Sequence, residues 1–195
     1  MKTLVITGGI GSGKSVVCSY LALKGIPVYD SDTRAKLLYD THPEIMNSLE
    51  SSLGMVLHDA EGHLDRKVLA GAIFSNPANL AIAESVIHPY VFTDFLDWRN
   101  GYFGQVPFVV LESAIFLQKP LFRPLADKII LIDAPEELRL ERVASRDSAT
   151  RENVLSRMRA QAVDKSGADA VIVNDSDIQS LIDKVDATLE TIWND

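Results

Sequence analysis

The chain has 195 residues, 47% of them hydrophobic, enough for one large domain or one core carrying insertions. Its net charge of −8 argues against nucleic acid as the main partner, and no apolar run approaches the ~20 residues that span a bilayer. A lone Cys18 excludes an internal disulfide and suits a reducing cytosol, and Lys2 followed by a strand is no secretory signal, so the expectation is a cytoplasmic protein with no obligatory protein partner.

Lys2-Thr3-Leu4-Val5-Ile6-Thr7 reads as a short buried strand. It runs into Gly8-Gly9-Ile10-Gly11-Ser12-Gly13-Lys14-Ser15, a Gly-x-x-x-x-Gly-Lys-Ser loop, and then into a helical pattern over Ser15–Leu23. The four fixed positions match by chance in about one chain in 150 of this length. The strand before and the helix after make an ordinary glycine-rich turn a poor account. Each residue type suits a triphosphate. The glycines permit backbone angles at which several N–H groups converge on phosphate oxygens. Lys14 reaches the β- and γ-phosphates, the Ser15 hydroxyl takes a place on Mg²⁺, and the helix N-terminus lies under the phosphates. Gly9, Gly11, Ser12, Gly13, Lys14, Ser15 and Val16 are the expected ATP contacts, with Ser15 the metal ligand. The loop identifies a donor and leaves the acceptor open.

A second short strand, Pro27–Tyr29, ends at Asp30-Ser31-Asp32. In an open α/β sheet ligands gather at the carboxyl ends of strands. A carboxylate there can accept the proton of an attacking hydroxyl, and Asp32 is the leading candidate. Capping of the next helix is the alternative for either acid. From Ser31 to Tyr102 the pattern is helical: Asp32–Tyr39, Pro43–Leu53, a Gly54–Gly62 loop, Asp65–Phe74, and a long helix from about Ala78 to Arg99. His88-Pro89 marks a bend or a helix start within it. This is more than one crossover needs, so it reads as an insertion beside the core. His42, His58, His63 and His88 show no metal-binding spacing.

Pro107–Leu111, Lys128–Asp133 and Ala170–Val173 complete the strands. All are short and rich in Val and Ile with little polar alternation, the mark of parallel strands buried on both faces. Helical patterns between them give β-α-β units with right-handed crossovers. Glu112, just after the third strand, can hold Mg²⁺ through water; a structural acid is the alternative. Pro135-Glu136-Glu137 starts a helix running to about Arg146, Asp147-Ser148-Ala149-Thr150 breaks it, and Arg151–Gln161 forms another. Six of the ten arginines lie between Arg139 and Arg159, making that window locally +3 and leaving −11 for the remainder. Arg139, Arg142 and Arg146 share one helix face, which suits a lid closing over phosphate; a solvated face is the alternative.

The fold class that follows is α/β: a P-loop NTPase core with a five-stranded, mainly parallel sheet (1–30, 104–135 and 162–195), a helical substrate-binding insertion (31–103) and an arginine-rich helical lid (136–161). With no Asn-Lys-x-Asp guanine reader and no helicase-type acidic motif, the pattern favours a small-metabolite kinase over GTPases and motor ATPases.

From Thr3 to about Ile182 the chain resembles the dephospho-CoA kinase family. The resemblance is carried by Ile6–Ser15, by Val28-Tyr29-Asp30-Ser31-Asp32, by Gly62-His63-Leu64-Asp65-Arg66, and by Ile73–Pro77 with Ile87-His88-Pro89. It continues in Arg142, Arg146-Asp147, Gln161 and Val171-Ile172-Val173-Asn174. It implies that ATP, with Mg²⁺, phosphorylates the ribose 3′-hydroxyl of dephospho-CoA. It makes Asp32 the base, sets Lys14, Arg142 and Arg146 as the other catalytic residues, and places Arg66, His88 and Glu112 with Asp32 around the acceptor. Asn174 is expected near the nucleotide base. The run Glu112-Ser113-Ala114-Ile115-Phe116-Leu117-Gln118 departs from the family's Asp-x-Pro-Leu-Leu-x-Glu, with Ala114 for the proline and Gln118 for the second acid. Two other readings stay open: a shikimate- or gluconate-type kinase, and a regulator that binds ATP without transferring phosphate.

Overall fold

A computed structural model of the chain describes residues 1–148, 150–160 and 165–194. The chain divides into two compact units, one formed by Met1–Asp30 with Tyr102–Asp195 and the other by Ser31–Gly101.

The first unit is built on five strands: β1 (Lys2–Thr7), β2 (Val28–Asp30), β3 (Phe108–Glu112), β4 (Lys128–Asp133) and β5 (Ala170–Val173). They lie in the order β2-β3-β1-β4-β5, and every pair is parallel. The unbroken Val and Ile runs have the expected cause. Leu4, Ile6, Val110, Ile130, Ile132 and Ile172 face one side, where they pack with α1 (Lys14–Leu23) and the C-terminal helix (Ile178–Thr191) through Val17, Leu21, Leu181 and Val185. The alternate residues Val5, Val109, Leu111, Ile129 and Leu131 are also buried, so the three inner strands are covered on both faces, whereas Val171 and Val173 of the edge strand β5 are exposed. Tyr20 Oη and Lys24 Nζ both donate to Asp186 on the C-terminal helix, at 2.5 and 2.8 Å.

The second unit is helical, as expected from the sequence: α2 (Ser31–Thr41), α3 (Pro43–Leu53), α4 (Arg66–Phe74) and α5 (Pro77–Asn100). Asp65 caps α4 by accepting from the Lys67 and Val68 N–H groups, and Asn76 caps α5 by accepting from Ala78 N–H. Its core includes Leu38, Ile45, Leu49, Leu69, Ile87, Val91 and Phe95. Arg34 forks onto Asp94 to join α2 to α5, at 2.8 and 2.5 Å.

Three features depart from the sequence reading. Pro89 neither starts nor ends a helix; it lies inside the continuous α5. Its missing N–H removes one helical hydrogen bond, but Ile87, Val91 and Phe95 bury one stripe on both sides of it, and tertiary packing holds the helix together. The segment read as a plain Gly54–Gly62 loop contains a tight turn. Asp59 carboxylate accepts from the Glu61 and His63 N–H groups, Gly62 takes φ 83°, and His58 bridges Leu64 antiparallel. After β3 the chain makes two 3-10 turns, Phe116–Gln118 and Pro120–Leu125, with Phe116 and Phe122 stacked at 6.5 Å.

In the remaining part of the first unit, α6 (Glu136–Asp147) and α7 (Arg151–Ala160) pack through Leu140, Val143, Val154 and Met158, with Ile10 of the loop against them. The expected end of α7 at Gln161 lies outside the described residues. The C-terminal helix, which the sequence reading did not separate out, is α8.

Ile130 is fully buried in the central β4. Ile130→Ala should lower the unfolding free energy by about 3 kcal/mol and Ile130→Val by about 1 kcal/mol, measured by urea titration. A loss below about 1 kcal/mol for the alanine variant would mean that this strand is not in the core.

Candidate active site

The loop leaves β1 at the carboxyl edge of the sheet and turns into α1. Gly11 and Gly13 have φ of 77° and 106°, and Gly13 is also the N-cap of α1. At Gly13 glycine is required twice over. The backbone is left-handed, and a Cβ there would run into the side-chain amide of Asn174.

Four successive carbonyls of the loop each accept a side-chain donor. Lys14 Nζ lies on Gly9 O at 3.3 Å, Arg139 Nε on Ile10 O at 2.9 Å, Arg142 Nη1 on Gly11 O at 3.5 Å, and Asn174 Nδ2 on Ser12 O at 2.8 Å. Three of these donors come from distant elements. Asn174 directly follows β5, whose pairing it extends by donating its N–H to Asp133 O at 2.7 Å. Arg139 and Arg142 lie one turn apart on α6. Arg142 also reaches Asn174 O at 3.5 Å and Asn174 Oδ1 at 3.4 Å.

Two acids stand at the carboxyl edge beside the loop. The register places Glu112 opposite Ile6 on one side and Asp30 on the other. Ser15 Oγ donates to Glu112 Oε1 at 3.2 Å. The buried Cys18 thiol lies one turn further along α1, near the same carboxylate. Burial pushes the Glu112 carboxyl above its ordinary value; Asp30 adds to this, while Lys14 and the Cys18 and Ser15 hydrogen bonds oppose it. Burial pushes the Cys18 thiol up strongly, and the Glu112 carboxylate adds to that. The Ser15 hydroxyl and the Glu112 carboxylate are adjacent hard oxygens. That pair fits Mg²⁺, which keeps most of its shell as water and phosphate. Among the described residues no group of three or more His, Cys, Asp or Glu forms an all-protein cage.

The structure therefore gathers Gly9, Gly11, Ser12, Gly13, Lys14, Ser15, Glu112, Arg142 and Asn174 around the loop. The Asn174 side-chain amide supports the loop backbone through Ser12 O. The Val16 N–H donates to Gly13 O at 3.1 Å within the first turn of α1. Arg146 is not on the loop. It forks onto Asp147 at 2.7 and 3.2 Å, and Arg157 of α7 takes the same carboxylate at 2.7 Å. Asp32 lies exposed in the first turn of α2, and His88 is half-buried in α5. Arg66 donates to Asp40 at 2.8 Å and to Lys36 O at 3.0 Å. Those three belong to the second unit. Sequence reasoning missed the contact of Arg139 with the loop. It also missed the Lys165–Asp133 ion pair, 2.6 Å, which borders the cleft beside Gly9. The placing of Arg139 one turn before Arg142 was the available signal.

A glycine loop between the central strand and its helix, in a parallel 2-3-1-4-5 sheet with acids at its carboxyl edge, defines a P-loop kinase core. The family model described as dephospho-CoA kinase matches residues 3–180. The dephospho-CoA kinase of Porphyromonas gingivalis is 41% identical over 196 residues, covering 98% of this chain and 95% of that protein. Among solved structures, TT1252 from Thermus thermophilus superposes with a TM-score of 0.82 at 32% identity, over 97% of this chain and 96% of that one. The dephospho-CoA kinase from Campylobacter jejuni gives 0.67 at 26% identity, over 97% and 98%. The chain belongs to the dephospho-CoA kinase family.

The Arg146–Asp147–Arg157 group joins the end of α6 to α7. The hydrogen bonds from Arg146 and Arg157 hold the Asp147 carboxyl well below its ordinary value. A lowered folded-state value contributes stability that is fully present above the ordinary carboxylate range, about pH 4, starts to fall below it, and is lost as pH falls through the lowered value. Asp147→Asn should therefore lower the melting temperature at pH 7, with the gap to the parent protein narrowing below about pH 4. A gap of constant size from pH 7 to pH 3 would contradict the ion-pair account.

Proposed function

We propose that this chain transfers the γ-phosphoryl group of ATP to the ribose 3′-hydroxyl of dephospho-CoA, giving coenzyme A, the last step of its biosynthesis. The observation that carries the reading is that the family match and the phosphate loop fall on one continuous stretch, residues 3–180. The reaction belongs in the cytoplasm, where a lone buried Cys18 stays reduced. Among the described residues no helix is long and apolar enough to cross a membrane.

Roles follow from chemistry. The N–H groups of the loop and of the first turn of α1 bind the β- and γ-phosphates. Lys14, held on Gly9 O, exchanges that carbonyl for a phosphate oxygen and neutralises charge there. Ser15, with Glu112 beside it, would hold Mg²⁺, which when bound would supply neutralisation of phosphate charge. Asp32, exposed in the first turn of α2, accepts the proton of the 3′-hydroxyl. Arg66 and His88 of the helical insertion bind the acceptor. Helices α6 and α7 serve as the lid. Arg142 anchors its base to the loop, and Arg146 leaves Asp147 to meet the transferring phosphoryl group.

Incubation with ATP, Mg²⁺ and a panel of acceptors, followed by ADP release, tests the reading. Dephospho-CoA should be turned over well above the rest; release only with shikimate or gluconate would refute it. Asp32→Asn should lower turnover by at least about 10²-fold while ATP affinity stays unchanged by calorimetry. Undiminished turnover would remove Asp32 from the mechanism.

A further inference from the structure

Peptide planes in a glycine-rich loop are poorly fixed by their own chemistry. The unit joining Ile10 to Gly11 ends on a glycine at φ 77°, and glycine tolerates either sense of φ at little cost. A trans peptide is planar, with its C=O and N–H pointing to opposite sides. Whatever fixes the Ile10 carbonyl therefore fixes the Gly11 N–H.

Arg139 fixes it. This residue belongs to none of the family-like pieces of the chain. It is half-buried on α6, its Nε donates to Ile10 O at 2.9 Å, and its guanidinium lies where a side chain on Gly9 would stand, with Nη2 at 2.5 Å from that position. The Ser12 N–H is already used on Gly9 O, at 3.2 Å. The Gly11 and Gly13 N–H groups, by contrast, have no hydrogen-bond partner among the described residues. They sit on the peptides whose carbonyls Arg139 and Asn174 hold, which turns both N–H groups away from those side chains. A hydrogen bond from a cation to the carbonyl also polarises the peptide and strengthens its N–H as a donor.

We propose that Arg139 is a positioning residue for the donor nucleotide, holding the Gly11 N–H toward the phosphate by clamping the Ile10 carbonyl. This rests on the loop being the phosphate site of the kinase proposed above.

The test exploits side-chain geometry. In glutamine the amide nitrogen falls at the same distance along the side chain as arginine Nε, so Arg139→Gln keeps the clamp and loses the charge, whereas Arg139→Ala loses both. ATP binding is measured by calorimetry without acceptor, alongside the melting temperature of the free protein and the KM for each substrate. Arg139→Ala should weaken ATP binding about tenfold or more, the scale of one hydrogen bond to a charged group, and raise the KM for ATP but not for dephospho-CoA. Arg139→Gln should remain within about threefold of the parent protein. ATP affinity unchanged in Arg139→Ala would overturn the proposal. So would Arg139→Gln binding as poorly as Arg139→Ala, because the charge would then act on phosphate directly. A melting temperature falling in step with affinity would make Arg139 merely structural and would also overturn it. A parent protein that binds ATP yet ignores dephospho-CoA would instead defeat the acceptor assignment and leave the clamp standing.

Discussion

The orientation of a few peptide planes between Gly9 and Gly13 is the constraint on which the rest of the molecule depends. Phosphate is bound by backbone N–H groups only if the matching carbonyls are turned away, and a carbonyl turned away still requires a donor. Here Lys14, Arg139, Arg142 and Asn174 provide one each. The fold can be understood as the means of delivering them. Central β1 launches the loop, β5 delivers Asn174 from two strands away, and α6 brings two arginines one turn apart. The inner strands, buried on both faces, form the rigid part of this frame.

Electrostatics divide along the same lines. In a chain of net charge −8, six of the ten arginines lie on α6 and α7. Their charge is not spread as a diffuse field. Arg139 and Arg142 go to loop carbonyls, Arg146 and Arg157 share Asp147, and Arg151 forks onto Glu137 at 2.8 and 3.0 Å. The partners differ in strength of hold. A carbonyl carries no net charge and gives up a guanidinium to an incoming phosphate more readily than a carboxylate does. Arg142 accordingly holds its oxygens loosely, at 3.4 to 3.5 Å, whereas Arg146 holds Asp147 at 2.7 Å.

Much of this was legible in the sequence. The five strands fall within a residue or so of their expected bounds, and in the inner three burial on both faces writes an unbroken apolar run. Gly8–Ser15 was legible because the chemistry of phosphate binding restricts residue type at each point. What escaped has physical reasons too. Pro89 lies inside α5 because packing on either side outweighs a local breaker, and packing is not visible in a dipeptide. The His58–Leu64 bridge arises from an aspartate turn, with no alternation to announce it. The C-terminal helix did carry signals, Asp177 as N-cap and Leu181 and Val185 four apart. The position of Asn174 after the last strand is readable in the sequence; the direction of its amide, into the loop, is not.

Side chains that bond to backbone carbonyls leave no periodic trace, and this is why the loop's supports were hidden. Their residue types are nonetheless constrained. Arginine offers donors at Nε and at both Nη positions in a fixed plane, so one side chain can hold a carbonyl and keep further donors for other acceptors. Arg142 does this, spanning Gly11 O, Asn174 O and Asn174 Oδ1. A lysine at that position would offer its donors from a single nitrogen, without the planar fork that reaches apart. Asn174 is constrained from both sides. Its Nδ2 must donate to Ser12 O and its Oδ1 must accept from Arg142, which an aspartate or a leucine of similar size cannot do together. The glycine at position 13 completes the set, since any side chain there would displace that amide. Gly13 and Asn174, 161 positions apart in the chain, are thus fixed by one contact, and the phosphate loop is a tertiary structure that its own eight residues do not determine alone.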